Sequence, residues 1–265
     1  MRRVVLLLVL LALGGVAFAQ YRFREDYNPL PPEMRWEVEP KVKKDVFTFV
    51  RIRYSSYGRR GGEAWRTDHP HSDYNFSFRL QQLTALKVNP EPVILEITDP
   101  ELFNYPWIYM IEPGSLVFSD EEVAALRRYL LAGGFMMVDD FWGDREYQNF
   151  YEEIKRVFPE REPEEIPIEH PIFSCVFPLK TKPQVPSIHA WLRSGQSFER
   201  WGDGDTPYYK GIFDDKGRLM VIVCHNTDLG DGWEREGESA EYFRQFSEKQ
   251  AYPMGINIVF YAMTH

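Results

Sequence analysis

The sequence is short of cysteine, of basic charge and of long apolar runs, and each shortage removes a class of function. Only Cys175 and Cys224 occur in 265 residues, too few for a disulfide-stapled scaffold. Both sit in apolar runs, "IFSCVF" and "LMVIVCHN", so two buried free thiols are expected. Their pairing stays open, because a bridge needs Cα atoms within roughly 7 Å. The net charge is −9, and an acidic chain lacks the basic surface that phosphates require, so no nucleic-acid partner is expected. The one long apolar run, Val4 to Leu13, falls short of the roughly 20 residues that span a bilayer. No later segment looks transmembrane, and there is no internal repeat or low-complexity tract.

The first apolar run has a different meaning. Arg2 and Arg3 precede it and Ala17-Phe18-Ala19 gives a small-x-small cleavage pattern, so residues 1–19 are expected to be a signal peptide cut before Gln20. The rival, an uncleaved anchor, suffers from the shortness of the run. Cleavage implies export to the periplasm or the extracellular space and, with Arg2 and Arg3 gone, a net charge of −11 instead of −9. Residues 20–45, broken by Pro29, Pro31, Pro32 and Pro40, read as a proline-rich extended arm. Residues 46–265 read as a single α/β domain.

Within that domain "VFTFVRIRY", Val46 to Tyr54, alternates as a strand does. After a polar loop, Asp73 is expected to cap a helix with Phe76, Leu80 and Leu83 on one face. Strands are expected at Val93 to Ile97 and Trp107 to Ile111. "SDEEVAALRRYLLAGG" is the clearest helix, with a Ser119–Glu122 capping box, an apolar stripe of Val123, Leu126 and Leu130, and a stop at Gly133. A strand from Phe135 to Val138 follows, then a helix with Tyr147, Phe150, Tyr151, Ile154 and Phe158 at helical spacing. Asp215-Lys216-Gly217 turns an antiparallel hairpin, and two helical segments close the chain, from about Ala240 and from Pro253. Strands alternating with helices imply a mostly parallel sheet covered on both faces.

In such a sheet, ligands bind beyond the carboxyl ends of the strands. The unusual polar residues fall there. The loop after the first strand carries Trp65, Asp68, Asp73, Asn75 and Arg79, the third strand ends on Glu112, and the fourth on Asp139, Asp140, Trp142 and Gly143. The last long strand ends on His225, Asn226, Asp228 and Asp231, with Trp233 beyond. One shared pocket is the simplest reading, with Arg79 countering the carboxylates. One of Asp139 and Asp140 can be a helix cap, although Asp144 is better placed for that role. The other is then available for acid/base work, metal ligation or hydrogen bonds to hydroxyls. Cys224 is no nucleophilic partner for His225, because successive strand residues face opposite sides. "WGDGDTP" and "TDLGDGW" lack the order of a calcium loop, and "DHPHSD" lacks the spacing of a helical zinc pair, so no metal set is assigned. Tryptophans among Asp and Gly in strand-end loops suggest a stacking surface for sugar-like ligands.

"TFVRIRYSS", "DYNFSFRLQQLTALKVNP", "ITDPELFNYPWIYMIEPG", "LRRYLLAGGFMMVDDFWG", "EHPIFSCVF", "FDDKGRLMVIVCHNTDLGDGWEREG" and "YPMGINIVFYAMTH" resemble the bacterial domain of unknown function family 4159 (DUF4159), from about Val46 to His265. The resemblance implies a flavodoxin-like three-layer α/β/α sandwich similar to class I glutamine amidotransferases and ThuA-like proteins. Amidotransferases carry a nucleophilic cysteine on a sharp turn after a central strand. The matching turn, Val138 to Gly143, has no cysteine or serine, so amidotransferase activity is not expected. Longer relatives associated with MoxR-type ATPases and von Willebrand factor-like envelope systems add an envelope complex as a candidate partner.

The leading expectation is an exported, non-catalytic module for a small-molecule or glycan ligand, polyhydroxylated and neutral or cationic, with no cofactor. One alternative is a hydrolase with Asp139 or Asp140 as base, His225 as acid and a divalent cation activating water. Another is an envelope assembly module docking through the arm.

Overall fold

In a computed structural model of the protein, residues 36–38, 46–58 and 62–265 are described. The expected signal peptide, and all of the expected arm except residues 36–38, lie outside the described residues. The chain divides between Glu37 and Val38, and the architecture below is that of Val38–His265.

Its centre is a seven-stranded sheet. The strands are β1 (Val50–Arg53), β3 (Val93–Glu96), β4 (Trp107–Ile111), β6 (Phe135–Asp139), β7 (Glu164–Glu165), β8 (Tyr208–Phe213) and β9 (Leu219–His225). A two-stranded ribbon, β2 (Ser55–Ser56) with β5 (Leu116–Val117), stands apart. The sheet order is β3-β1-β4-β6-β9-β8-β7, parallel from β3 to β9 and antiparallel at β9–β8 and β8–β7. Numbered by first appearance, the five parallel strands run 2-1-3-4-5, so the order reverses between β1 and β4. The protein is therefore an α/β structure with a mostly parallel sheet, compatible with a flavodoxin-like sandwich.

Strict alternation along the strands separates two layers. Val50, Ile52, Ile108, Met110, Met136 and Val138 form one core with α2 (Asp120–Leu131) and α3 (Gly143–Val157). The opposite face carries Phe49, Trp107 and Tyr109, packed ring on ring; Phe49 meets Phe76 of α1 (His71–Leu83), and Phe49 and Tyr109 meet Trp233 of α5 (Leu229–Glu234). Beyond α4 (Ile188–Ser194) and α5, a short α6 (Ala240–Tyr242) runs through a π-helical stretch, Phe243–Ala251, into α7 (Tyr252–Thr264). The two expected closing helices are thus joined. From Tyr252 to Val259 every residue of α7 is buried, as expected of a helix that is apolar all round. Among the described residues no helix is long and apolar enough to cross a membrane.

The capping box of α2 forms in both directions, Ser119 Oγ accepting from Glu122 N and a Glu122 carboxylate oxygen from Ser119 N. The Asp215–Gly217 hairpin is present as well, with Tyr208 opposite His225. Other expectations need correction. Asp73 does not cap α1, which starts after Pro70; burial of Arg51 in β1 demands a carboxylate, and Asp73 supplies it. Leu83 ends exposed at the last turn of α1. Asp144 does not cap α3, because Asn226 Oδ1 and a Glu146 carboxylate oxygen accept from Gly143 N and Trp142 N instead. Both cysteines are free, but only Cys224 is buried; Cys175 is exposed.

Candidate functional site

Four strand-end loops converge at the carboxyl edge of the sheet, and each places a non-glycine residue in the left-handed region. These are Asp68 (φ 61°), Glu112 (φ 52°), Asp140 (φ 57°) and Asn226 (φ 59°). Such backbones cost about 1–3 kcal/mol each and persist where the surroundings over-determine them, typically at binding sites. Asp140 sits at the elbow where β6 breaks towards α3.

A cavity of about 620 Å³ opens there, at the reversal of strand order between β1 and β4. Asp68, Glu112, Asp140, Asp228 and Asp231 line it together with Trp142, so six of the expected site residues do share one pocket. One carboxylate oxygen each of Asp68, Asp140 and Asp228 lies within 4.8 Å of the others, and Asp68 also joins Asp231 and Glu234 in a second such group.

The protein solvates these charges poorly. Asp140 Oδ1 accepts a 3.3 Å bond from Trp142 Nε1, and Asp228 Oδ1 accepts 2.7 Å from Asp231 N. Asp68 Oδ2 is buried with no donor. Among the described residues no lysine or arginine forms an ion pair with Asp68, Asp140 or Asp228. The two arginines in the lining are engaged elsewhere: Arg200 with Asp203 at 3.0 Å, and Arg235 with Glu238 at 2.9 Å and with Glu234 and Asp231. Burial, then the charges of Glu234 and Asp231, push the Asp68 carboxyl well above the usual range. Burial, then Glu112 and Asp68, do the same to Asp140; burial, then Asp140 and Asp68, to Asp228. A cluster in this state takes up either protons or a cation.

Gly230 lets Asp68 reach this position. A Cβ there would stand 2.6 Å from Asp68 Oδ2 and 2.9 Å from the Tyr109 hydroxyl, closer than packed atoms approach.

Asp139, adjacent in sequence to Asp140, has a different role. Its side chain follows the parity of Trp107 and Tyr109 into the α5 layer, where Oδ2 accepts from Tyr109 Oη and Gly230 N, both at 3.0 Å. It is fully buried and fastens the start of α5 to the sheet. Burial raises its carboxyl to about 7, with the Leu229 and Gly230 amides and Tyr109 opposing.

His225 shares the parity of Val221 and Val223 and faces the α3 layer. Its ring packs 4.9 Å from both Phe141 and Tyr147, with Nε2 3.1 Å from the Gly143 carbonyl oxygen. Burial lowers its pKa to about 4, so it stays neutral at neutral pH. It does not line the pocket, and because it faces the α3 layer while Asp139 faces the α5 layer, the two are not brought together. Asn226 is a clamp: Oδ1 accepts from Gly143 N at 2.8 Å, while Nδ2 donates to the Asp203 and Thr206 carbonyls at 3.0 and 2.9 Å.

The remaining expected residues brace the site from outside it. Arg51 is fully buried and donates to Asp73 at 2.9 Å, to Ser72 Oγ at 2.9 Å and to the carbonyls of Trp65 and Thr67, each at 3.0 Å. It thereby fixes the loop that presents Asp68. Burial would raise the Asp73 carboxyl, but Arg51 and His69 outweigh burial and hold it at about 2. Asn75 Nδ2 donates to the Trp233 carbonyl at 2.7 Å. Arg79 forms a two-pronged pair with Glu236 at 2.7 and 2.9 Å and so does not counter the pocket carboxylates. Trp233 is core, 4.5 Å from Phe76, and Trp65 lines a separate depression with Arg53 and Tyr54.

Thr67, Glu146, Ser187, His189, Glu199, Arg200 and Arg235 also line the cavity, unforeseen from sequence. Glu146 was legible in principle, in the first turn of the helix that follows the Asp140 elbow. Glu199 and Arg200 sit in the loop between α4 and β8, which no strand-end rule identifies.

The fold and pocket define a class: an α/β protein with a mostly parallel sheet and an acidic cavity at the carboxyl ends of its strands. Residues 48–263 match the family described as domain of unknown function (DUF4159), and the chain belongs to that family. No curated protein matches it at a significant level.

Proposed function

We propose that the chain is an exported ligand-binding module, with an amidotransferase-like and ThuA-like fold lacking the nucleophile, whose strand-end pocket takes a divalent cation and a polyhydroxylated ligand such as a carbohydrate or polyol. The convergence of Asp68, Asp140 and Asp228 within 4.8 Å, with no basic side chain paired to them among the described residues, carries this reading. Three carboxylates with one buried acceptor lacking a donor suit a hard cation such as Ca²⁺ or Mg²⁺, which takes oxygen ligands. The lack of a nucleophile follows from the residues of the elbow, where Asp140 and Phe141 stand and no cysteine or serine occurs between Val138 and Gly143. The cavity leaves room beside a cation for a small ligand.

Cation-assisted hydrolysis is the second reading, favoured by an acidic cavity with room for water beside a cation. His225 is not its acid, being neutral and turned towards α3. Thermal shift and calorimetry with Ca²⁺, Mg²⁺ and Mn²⁺ test the cation. One of these ions is expected to stabilise the parent by about 2.7 kcal/mol at a hundredfold excess over Kd and to lose that effect in Asp140→Asn. If none stabilises the parent, the cation is refuted.

A further inference from the structure

We propose that Trp201 is the stacking platform of this pocket, holding one ring of an oligosaccharide whose neighbouring unit enters the acidic cavity. This rests on the proposed polyhydroxylated ligand and names its class. The tryptophans expected to stack on sugar do not offer a free face in the pocket: Trp233 is fully buried and Trp142 is 7 % exposed. Trp201 is 74 % exposed, the most open large apolar side chain among the described residues. It directly follows Glu199 and Arg200, both of which line the cavity. Consecutive Cα atoms are about 3.8 Å apart, so the Trp201 backbone adjoins the cavity lining.

An exposed tryptophan alone means little, but the loop carrying this one is unusually well fixed. Gln184 Nε2 donates to the Gly204 carbonyl at 3.0 Å, and Asn226 Nδ2 holds the Asp203 and Thr206 carbonyls. Arg200 Nη1 donates to the Trp142 carbonyl at 3.1 Å, and Asp203 Oδ2 accepts from Asp144 N at 3.1 Å. Ser187 N donates to Glu199 Oε1 at 2.5 Å. The fit is close enough that a Cβ on Gly143 would stand 2.6 Å from Asp203 Oδ2 and 2.7 Å from Arg200. Phe198 backs the indole edge-on, ring centroids 4.8 Å apart. Bracing from Asn226, α3 and the Gln184 segment therefore fixes the loop from which Trp201 is exposed, next in sequence to residues that line the carboxylate cavity. A flat apolar surface next to convergent hydroxyl acceptors matches a sugar ring, whose C–H face stacks while its hydroxyls donate. A rigid platform also spares the entropy of ordering a loop on binding.

The test uses the full chain, as parent, Trp201→Ala, Trp201→Phe and Asp140→Asn, on an array of defined neutral and amino oligosaccharides, with calorimetry on the hits in Ca²⁺ and in EDTA. The expected result is at least one oligosaccharide that binds the parent, a loss of about tenfold or more in affinity for Trp201→Ala, and near-parental affinity for Trp201→Phe. Calcium binding and the thermal midpoint of Trp201→Ala should equal those of the parent, because the side chain is exposed. Equal oligosaccharide affinity in Trp201→Ala and the parent overturns the platform. So does an array with no binder to a parent that still binds calcium, or one on which only quaternary ammonium compounds compete. Sugar binding that depends on Trp201 but ignores calcium and EDTA supports the platform and refutes the cation instead.

Discussion

Removing the carboxylate of Asp73 should unlock the site from beneath. The substitution Asp73→Ala leaves the Arg51 guanidinium fully buried, with its bonds to Trp65, Thr67 and Ser72 intact but its counter-ion gone. Breaking a buried pair in this way costs about 3–5 kcal/mol, a large share of a typical total of 5–15 kcal/mol. For a domain of this size that lowers Tm by on the order of 10 °C. The pH dependence has a definite sign. The folded Asp73 pKa, about 2, lies below the ordinary 3.8, so its contribution is fully present above about pH 4 and is lost as pH falls towards 2. That contribution is on the order of 2–3 kcal/mol. Urea denaturation of the parent and Asp73→Ala from pH 2 to 7 measures both quantities, and Asp73→Ala should lose the acid-side slope. Because Arg51 also holds the Asp68 loop, calcium affinity should fall together with stability, although Asp73 does not line the cavity. A double variant, Arg51→Met with Asp73→Leu, should recover stability without recovering calcium binding. A cost below about 1 kcal/mol for Asp73→Ala would refute the view that this pair fixes the loop.

Gly230→Ala should weaken calcium binding by about tenfold or more and leave far-UV circular dichroism unchanged, since the new Cβ displaces Asp68 Oδ2; parental affinity would contradict the close approach. Asp139 has a folded pKa of about 7 against 3.8, so the folded state keeps a proton that the unfolded state loses, and stability should fall as pH rises from about 4 to 7. The gap corresponds to about 4 kcal/mol, and Asp139→Asn should flatten that slope in urea titrations; an unchanged slope would show that other carboxyls set it. Met137→Asp should fail to fold, because it puts an unpaired charge on the fully buried α5-side face of β6, while Asp140→Asn should retain the parental Tm in EDTA.

Much of this architecture was visible in periodicity. Trp107 to Ile111 and Phe135 to Val138 are buried on both faces and read as continuous apolar runs, and Ser119 with Glu122 announced the start of α2. That one cavity gathers Asp68, Glu112, Asp140, Asp228 and Asp231 was visible from the rule that ligands bind at strand ends. What the rule lacks is parity and partners. Asp139 and Asp140 are neighbours, yet one points into a helix layer and the other into the cavity. Arg79 and Asp73 are polar residues near the right strand end, but Glu236 and Arg51, distant in sequence, hold them elsewhere. Glu199, Arg200 and Trp201 were hidden for the opposite reason, since the loop between α4 and β8 is held at the site by tertiary bonds, among them those from Asn226, Gln184 and Asp144.

The central claim is a cation held by three carboxylates, and anomalous scattering from crystals grown with Mn²⁺ tests it directly. A single strong peak is expected within about 2.0–2.6 Å of an oxygen from each of Asp68, Asp140 and Asp228, absent from crystals of Asp140→Asn. An empty cavity in the Mn²⁺ crystals, with the three carboxyls hydrogen-bonded to one another through shared protons, would contradict it.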